Sequence, residues 1–111
     1  DQQIFGKVFE NFVITELIKQ CSWQDSLIDI YYYRTQTGIE VDAVLENSQG
    51  KMVGIEIKSG ETIISDDFRG LKHLQDSADK NFVCGVILYS GSEIVPFGMN
   101  LWAVPVSCLW G

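Results

Sequence analysis

The stretch GIEVDAVLENSQGKMVGIEIKSG, residues 38–60, decides the fold of this chain. Alternating apolar and polar residues predict two strands, residues 40–46 and 51–58, and Asn47-Ser48-Gln49-Gly50 predicts the hairpin turn between them. On the first strand, four apolar residues are expected to share one face: Ile39, Val41, Ala43 and Leu45.

Three charged residues of this hairpin form a candidate site. Asp42 lies on the first strand, and Glu56 and Lys58 lie two apart on the second. Side chains at i and i+2 of a strand share a face, so Glu56 and Lys58 point the same way, while Ile55 and Ile57 point the other way. Two neighbouring carboxylates supply the hard oxygen ligands that Mg²⁺ or Mn²⁺ prefers, and a nearby lysine can orient a water molecule. These are the components of a metal-dependent phosphodiesterase site.

The rest of the chain predicts alternating helices and strands. The apolar residues of 3–20 recur at helical spacing, and Ser65 is expected to cap a second helix that has Asp66 and Asp67 in its first turn and ends near Ala78. Further strands are predicted over residues 28–34, 82–89 and 101–106, and a turn at Ser90-Gly91-Ser92 leads to Ile94-Val95. The predicted order is therefore α-β-β-β-α-β-β, an α/β fold.

Composition limits the classes of protein. The 111 residues are 46% hydrophobic, which predicts one folded domain, residues 1–111, and no apolar run is long enough to span a membrane. A formal charge of −7 is unfavourable for a general nucleic-acid-binding module. The cysteines have no zinc-ligand spacing and are expected to be reduced, in a cytoplasmic protein: Cys21, Cys84 and Cys108. The first residue is Asp, and we expect the chain to be part of a longer protein.

The element order and these residues resemble the restriction-endonuclease-like, or PD-(D/E)XK, superfamily. The resemblance implies an αβββαβ core with a central mixed sheet flanked by helices. Asp42 matches the first acid of the motif, and Glu56 and Lys58 match the acid–x–lysine. Many members carry a further glutamate on the first helix, and Glu10 matches that position.

Five segments give a closer resemblance to the domain of unknown function that follows an AAA-type ATPase domain in many bacterial and archaeal proteins. They are GKVFENFVITEL, YYYRTQTGIEVDAVLE, GIEIKSG, GLKHL and PVSCLW, in that order. The resemblance implies a nuclease-like domain at the C-terminal end of an ATPase, whose ATPase domain is its partner. The chain has no Walker sequence, so it is not expected to bind ATP itself.

The chemistry assigns a role to each candidate residue. Asp42 and Glu56 would bind Mg²⁺ or Mn²⁺, with the Ile57 carbonyl as a further ligand. Lys58 would orient or deprotonate the attacking water. Glu10 would hold a second metal or a metal-bound water, and Glu40 would tune the site from the same face as Asp42.

Simpler interpretations remain for each of these residues. An acid–x–lysine pair also suits a solvated, salt-bridging strand face, and Glu10 also suits an exposed helix position. Arg69, Lys72 and His73 lie at i, i+3 and i+4 of the second predicted helix, where they could contact phosphates or simply face solvent.

Three hypotheses follow. The first is a metal-dependent domain that cleaves DNA, with Asp42, Glu56, Lys58 and Glu10 as its catalytic residues. The second is an inactive nuclease fold that interacts with its ATPase or regulates it, which the acidic charge favours. The third is a fold that has kept neither metal nor partner, in which neutralising Asp42 or Glu56 would leave stability unchanged or raised.

Overall fold

A computed structural model describes residues 28–109 of the chain, with the side chains of residues 28–107. The first predicted helix, residues 3–20, and the candidate residue Glu10 on it lie outside these described residues.

The described part of the chain contains six strands and one α-helix. They are β1 (Ile28–Arg34), β2 (Glu40–Asn47), β3 (Met52–Ile57), α1 (Arg69–Ala78), β4 (Phe82–Tyr89), β5 (Val95–Pro96) and β6 (Leu101–Pro105). Three 3₁₀ turns accompany them: Ser65–Phe68, Asp79–Asn81 and Val106–Leu109. The predicted bounds of β1 and β4 are confirmed, the bounds of β2, β3 and β6 differ from the predicted ones by one residue, and β5 is not predicted as a strand.

The strands form one mixed sheet in the order β1-β2-β3-β4-β6-β5. β1 and β3 are each antiparallel to β2, as expected for consecutive hairpins. β3 and β4 are parallel, and helix α1 lies in the connection between them. β6 is parallel to β4 and antiparallel to the short edge strand β5. The expectation of an α/β fold with a mixed sheet is confirmed.

Each side of the sheet carries its own apolar cluster. Helix α1 contributes Leu71 and Leu74 to the first, in which Ile87 of β4 is also buried. The second cluster lies on the opposite side, where Ile55 of β3 meets Val86 of β4. Burial of these side chains supplies most of the free energy that favours the sheet. Among residues 28–109, the structure contains no helix with the length and apolar content needed to cross a membrane.

A β-bulge in β2 changes the predicted pattern of faces. Between the pairs Tyr31–Val44 and Tyr33–Val41, β1 advances by two residues while β2 advances by three. Val41 and Val44 consequently both join the cluster on the helix side, although they are three positions apart in the sequence and a regular strand would place them on opposite faces.

The expectation that Ile39, Val41, Ala43 and Leu45 share one face is therefore wrong. Leu45 is buried in the opposite cluster, and Ala43 packs against it. The bulge includes Asp42, and bulges of this kind re-aim side chains near functional sites.

Glycines allow helix α1 to approach the sheet closely. A Cβ atom at Gly54 of β3 would lie 2.6 Å from Leu71 Cδ2 and 2.8 Å from Leu74 Cδ2. A Cβ atom at Gly70, in the first turn of α1, would collide with the carbonyl oxygen of Glu40 at the start of β2. The two glycines thus bring the beginning of α1 against the ends of β2 and β3 that carry the candidate residues.

The prediction that Ser65 caps the second helix is wrong. That residue lies inside a 3₁₀ turn, and the backbone that precedes the turn is extended at Ile64. The Ser65 hydroxyl accepts a hydrogen bond from Lys72 Nζ at 3.1 Å. The carboxylate of Asp67 instead accepts the N–H of Ile64 at 2.8 Å, which satisfies a backbone donor at the start of the turn.

Candidate active site

Asp42 and Glu56 lie on neighbouring strands close to the beginning of α1. The pairing of β2 with β3 runs as far as Ala43 opposite Ile55, and one further step would set Asp42 opposite Glu56. The carboxylate of Asp42 accepts a hydrogen bond from the backbone N–H of Ile57, with Oδ2 at 2.9 Å from N. This contact fixes Asp42 beside the end of β3, where Glu56 is half-buried.

The surroundings of Glu56 favour its neutral form. Burial raises the pKa of Glu56 from 4.5 to about 7, and the negative charges of Asp42, Asp67 and Glu40 add to that rise. A half-buried carboxyl group among three other acids is therefore poised to exchange its proton for a cation near neutral pH.

Lys58 follows β3 directly and lies on the same side of the sheet as Glu56. Its backbone N–H donates to the carbonyl of Leu88 at 2.8 Å, which continues the pairing of β3 with β4. Its ammonium group contacts Asp67 Oδ2 at 2.6 Å. The prediction that Glu56 and Lys58 share a face agrees with this geometry, because Asp67, in the 3₁₀ turn directly before α1, contacts Lys58 and lines the same cleft as Glu56.

Asp67 is held by two donors. The Ile64 N–H and, to a smaller extent, the Lys58 ammonium lower the pKa of Asp67 below its usual 3.8, so the carboxylate is charged at neutral pH. Its side chain is 21% exposed and that of Lys58 is 39% exposed, so the ion pair is only partly screened by water. Asp67 thus ties the lysine to the turn that precedes α1.

Glu56 and Asp67 line a cleft of about 210 Å³, here called the acidic cleft. Its charged lining consists of Glu40, Glu56, Asp67 and Arg69, and Gly70 forms part of its wall. Arg69 therefore faces three carboxylates. At the outer end of β2, Arg34 Nε lies 3.7 Å from Glu40 Oε1, in a pair that is largely exposed.

The donors fit a hard cation only in part. Asp42 and Glu56 provide two carboxylates, and the charges of neighbouring acids add to the effect of burial in raising the pKa of Glu56. Within residues 28–109, however, no three His, Cys, Asp or Glu side chains are gathered closely enough to hold a metal ion. A third carboxylate would have to come from elsewhere, and Glu10, expected in that role, lies outside the described residues.

Two residues of the site were not assigned to it from the sequence. From the sequence, Asp67 is expected in the first turn of the second helix, where it would only interact favourably with the helix dipole. Arg69 is considered only as a phosphate contact on the helix. The sequence signal for both was their position directly before GLKHL, since a turn between β3 and a crossover helix returns to the end of β3.

Comparison with known proteins gives a family and no activity. A family model described as a domain of unknown function, DUF4143, matches residues 5–109. No curated protein and no solved structure shows a significant match to the chain.

Proposed function

This chain belongs to the family described as the domain of unknown function DUF4143, and we propose that it is a metal-dependent nuclease domain. In this proposal the domain hydrolyses phosphodiester bonds in DNA, uses Mg²⁺ or Mn²⁺, and has a restriction-endonuclease-like core. It is a cytoplasmic domain attached to an AAA-type ATPase domain of the same longer chain.

One observation carries the proposal. Burial and three neighbouring acids raise the pKa of Glu56 to about 7, and one of these acids, Asp42, comes from the adjacent strand. A purely structural, solvated strand face would separate such charges or pair each with a cation. Concentrated, half-buried carboxylates with a lysine at 2.6 Å from one of them are typical of sites that bind a cation and a phosphate.

Each residue has a role in this chemistry. Asp42 and Glu56 would hold the divalent cation, with Glu10 as the expected third acid. When bound, the cation polarises the scissile phosphate and lowers the pKa of a coordinated water. Lys58 would orient that water and offset the charge that develops on the phosphate, and Asp67, which accepts a hydrogen bond from the ammonium of Lys58, would position the lysine.

Cleavage assays test the proposal. Purified protein is incubated with Mg²⁺ and a set of labelled DNA substrates that includes duplexes, single strands, flaps and branches. Lys58→Ala is expected to abolish cleavage and to keep the fold, because its side chain is not part of either apolar cluster. Lys80→Ala serves as the matched control, since Lys80 is an exposed lysine of the turn after α1. Cleavage by Lys58→Ala at the wild-type rate would exclude the catalytic role.

A second candidate function has its own support. Lys58 is already neutralised by Asp67, and the formal charge of the whole chain is −7. Both features suit an inactive nuclease fold that docks on its ATPase. Scattering measurements on the longer protein would distinguish the two functions, because a docked domain gives a compact particle whereas an independent one gives an extended particle.

A further inference from the structure

A second groove adjoins the acidic cleft on the exposed side of α1. It has a volume of about 520 Å³ and shares two lining residues with the cleft, Ile39 and Arg69. Lys72 and His73 of the next helical turn also line it, and we call it the α1 groove. The groove and the cleft are therefore continuous through Arg69.

Two donors in the α1 groove are held in place by hydroxyl groups. Lys72 Nζ donates to Ser65 Oγ at 3.1 Å. His73 Nδ1 lies 2.7 Å from the hydroxyl of Tyr33 on β1, and the two rings are 5.9 Å apart. Both Lys72 and His73 are half-buried, so their side chains lose less conformational entropy on binding than free surface residues would.

The contact with Tyr33 leaves the second ring nitrogen of His73 able to donate when the tyrosine hydroxyl is the donor to Nδ1. When the tyrosine hydroxyl donates to Nδ1, the hydrogen of the neutral imidazole is on Nε2; when the imidazole is charged, both nitrogens carry one. In both states Nε2–H can donate to an anionic oxygen. Together with Arg69 and Lys72, the groove presents three donors to a ligand.

The groove also contains two acids. Asp66 and Asp76 are exposed, and neither forms an ion pair with Arg69 or Lys72 among the described residues. Solvent screens such exposed charges more strongly than the half-buried Lys72 and His73, whereas Arg69 is exposed like the two acids. The acids reduce the affinity for an anion, and neutralising either of them is expected to increase it.

We propose that the α1 groove binds the backbone phosphate next to the scissile phosphate of a nucleic acid strand, through Arg69, Lys72 and His73. The inference rests on the proposed function, because it takes the acidic cleft as the place where the scissile phosphate binds. A strand that crosses from the cleft to the groove would pass Arg69, which lines both. The groove thus offers a strand two cationic side chains, Arg69 and Lys72, in a chain whose formal charge is −7.

Fluorescence anisotropy with a labelled duplex DNA in Ca²⁺ tests this proposal. Lys72→Met and His73→Gln are each expected to weaken binding by about tenfold, and Lys72→Arg to restore it. For Lys72→Met the slope of log K against log salt should also fall by about one. Asp76→Asn should tighten binding. Lys80→Met removes the same charge at a position outside the groove. It is expected to change the affinity for DNA by less than about twofold and to leave the slope of log K against log salt unchanged.

Three results would overturn the proposal. The first is that Lys72→Met and Lys80→Met lose the same amount of affinity for DNA. The second is that the wild-type chain does not bind duplex DNA. The third is that inorganic phosphate, at the concentration used for the DNA, displaces all of the DNA. Calorimetry with Mn²⁺ on the same variants separates the two proposals. If the chain binds Mn²⁺ and Lys72→Met leaves its affinity for DNA unchanged, only the proposal for the groove is contradicted. If the chain binds no Mn²⁺ and Lys72→Met weakens its binding of DNA, the groove is supported as a phosphate contact and the nuclease function is contradicted.

Discussion

The carboxylate of Asp67 joins Lys58 to the turn that begins the connection to α1. It accepts the Ile64 N–H at 2.8 Å and the Lys58 ammonium at 2.6 Å through one oxygen. This arrangement limits the positions that the lysine can occupy and holds its ammonium beside an acid that lines the same cleft as Glu56. Sequence analysis could not predict the contact, because Lys58 and Asp67 are nine residues apart with an irregular loop between them.

Two substitutions at Asp67 separate its contacts. Asp67→Asn retains an oxygen that can accept the Ile64 N–H but removes the charge that pairs with Lys58. It is expected to lower the free energy of unfolding by at most about 1 kcal/mol. Asp67→Ala removes both contacts and is expected to cost about 1–2 kcal/mol. Urea denaturation of the two variants measures the difference, and equal losses would show that the backbone contact contributes nothing.

The raised pKa of Glu56 predicts how the stability of the protein changes with pH. Its pKa is 4.5 when unperturbed and about 7 in the folded protein. Between these values the folded state binds more protons than the unfolded state, so this residue makes stability fall as pH rises from about 4.5 to about 7. Above that range its contribution no longer changes.

Replacing Glu56 with glutamine tests this dependence. Urea denaturation of Glu56→Gln across the same pH range is expected to show a shallower decline than the wild-type protein, and at pH 8 the variant should be at least as stable. The Asp29→Asn variant is the control, because Asp29 lies on β1 opposite Glu46, away from the cleft. A wild-type decline that Glu56→Gln leaves unchanged would show that other groups cause it.

The close contact between α1 and the sheet is a property of whole elements. Gly54 brings β3 under Leu71 and Leu74, where an added methyl group would have to displace both leucines. Gly54→Ala is therefore expected to destabilise the protein by about 1–3 kcal/mol. At Gly60 the nearest atom to an added Cβ is Lys58 Cε at 3.8 Å, so Gly60→Ala is the matched control. Thermal unfolding compares the two, and a Gly54→Ala variant as stable as Gly60→Ala would contradict the packing.

The elements differ in how well the sequence predicts them. β1 and β4 are rich in β-branched and aromatic residues and end at turn-forming residues, so their bounds are predicted correctly. The bulge in β2 is not predicted from the sequence, because Val41, Ala43 and Leu45 continue an alternating pattern through it. Only the pairing with β1 and the burial of Val44 beneath α1 disclose the extra residue.

At the scale of the whole molecule, charge determines what the domain can bind. A formal charge of −7 repels a polyanion, and the acids of the cleft contribute to it. We therefore expect wild-type protein to bind duplex DNA in Ca²⁺ and to lose most of that affinity in EDTA. Anisotropy in the two buffers at equal ionic strength makes the comparison. Equal affinities would show that cation binding does not prepare the site for DNA.

The central claim is that Asp42 and Glu56 form a metal centre, and calorimetric titration of Mn²⁺ tests it without any choice of substrate. The wild-type chain should show one saturable site, which Asp42→Asn should abolish and the control Asp29→Asn should retain. No binding up to millimolar Mn²⁺, or equal binding by Asp42→Asn, would contradict the account and favour a domain that docks on its ATPase.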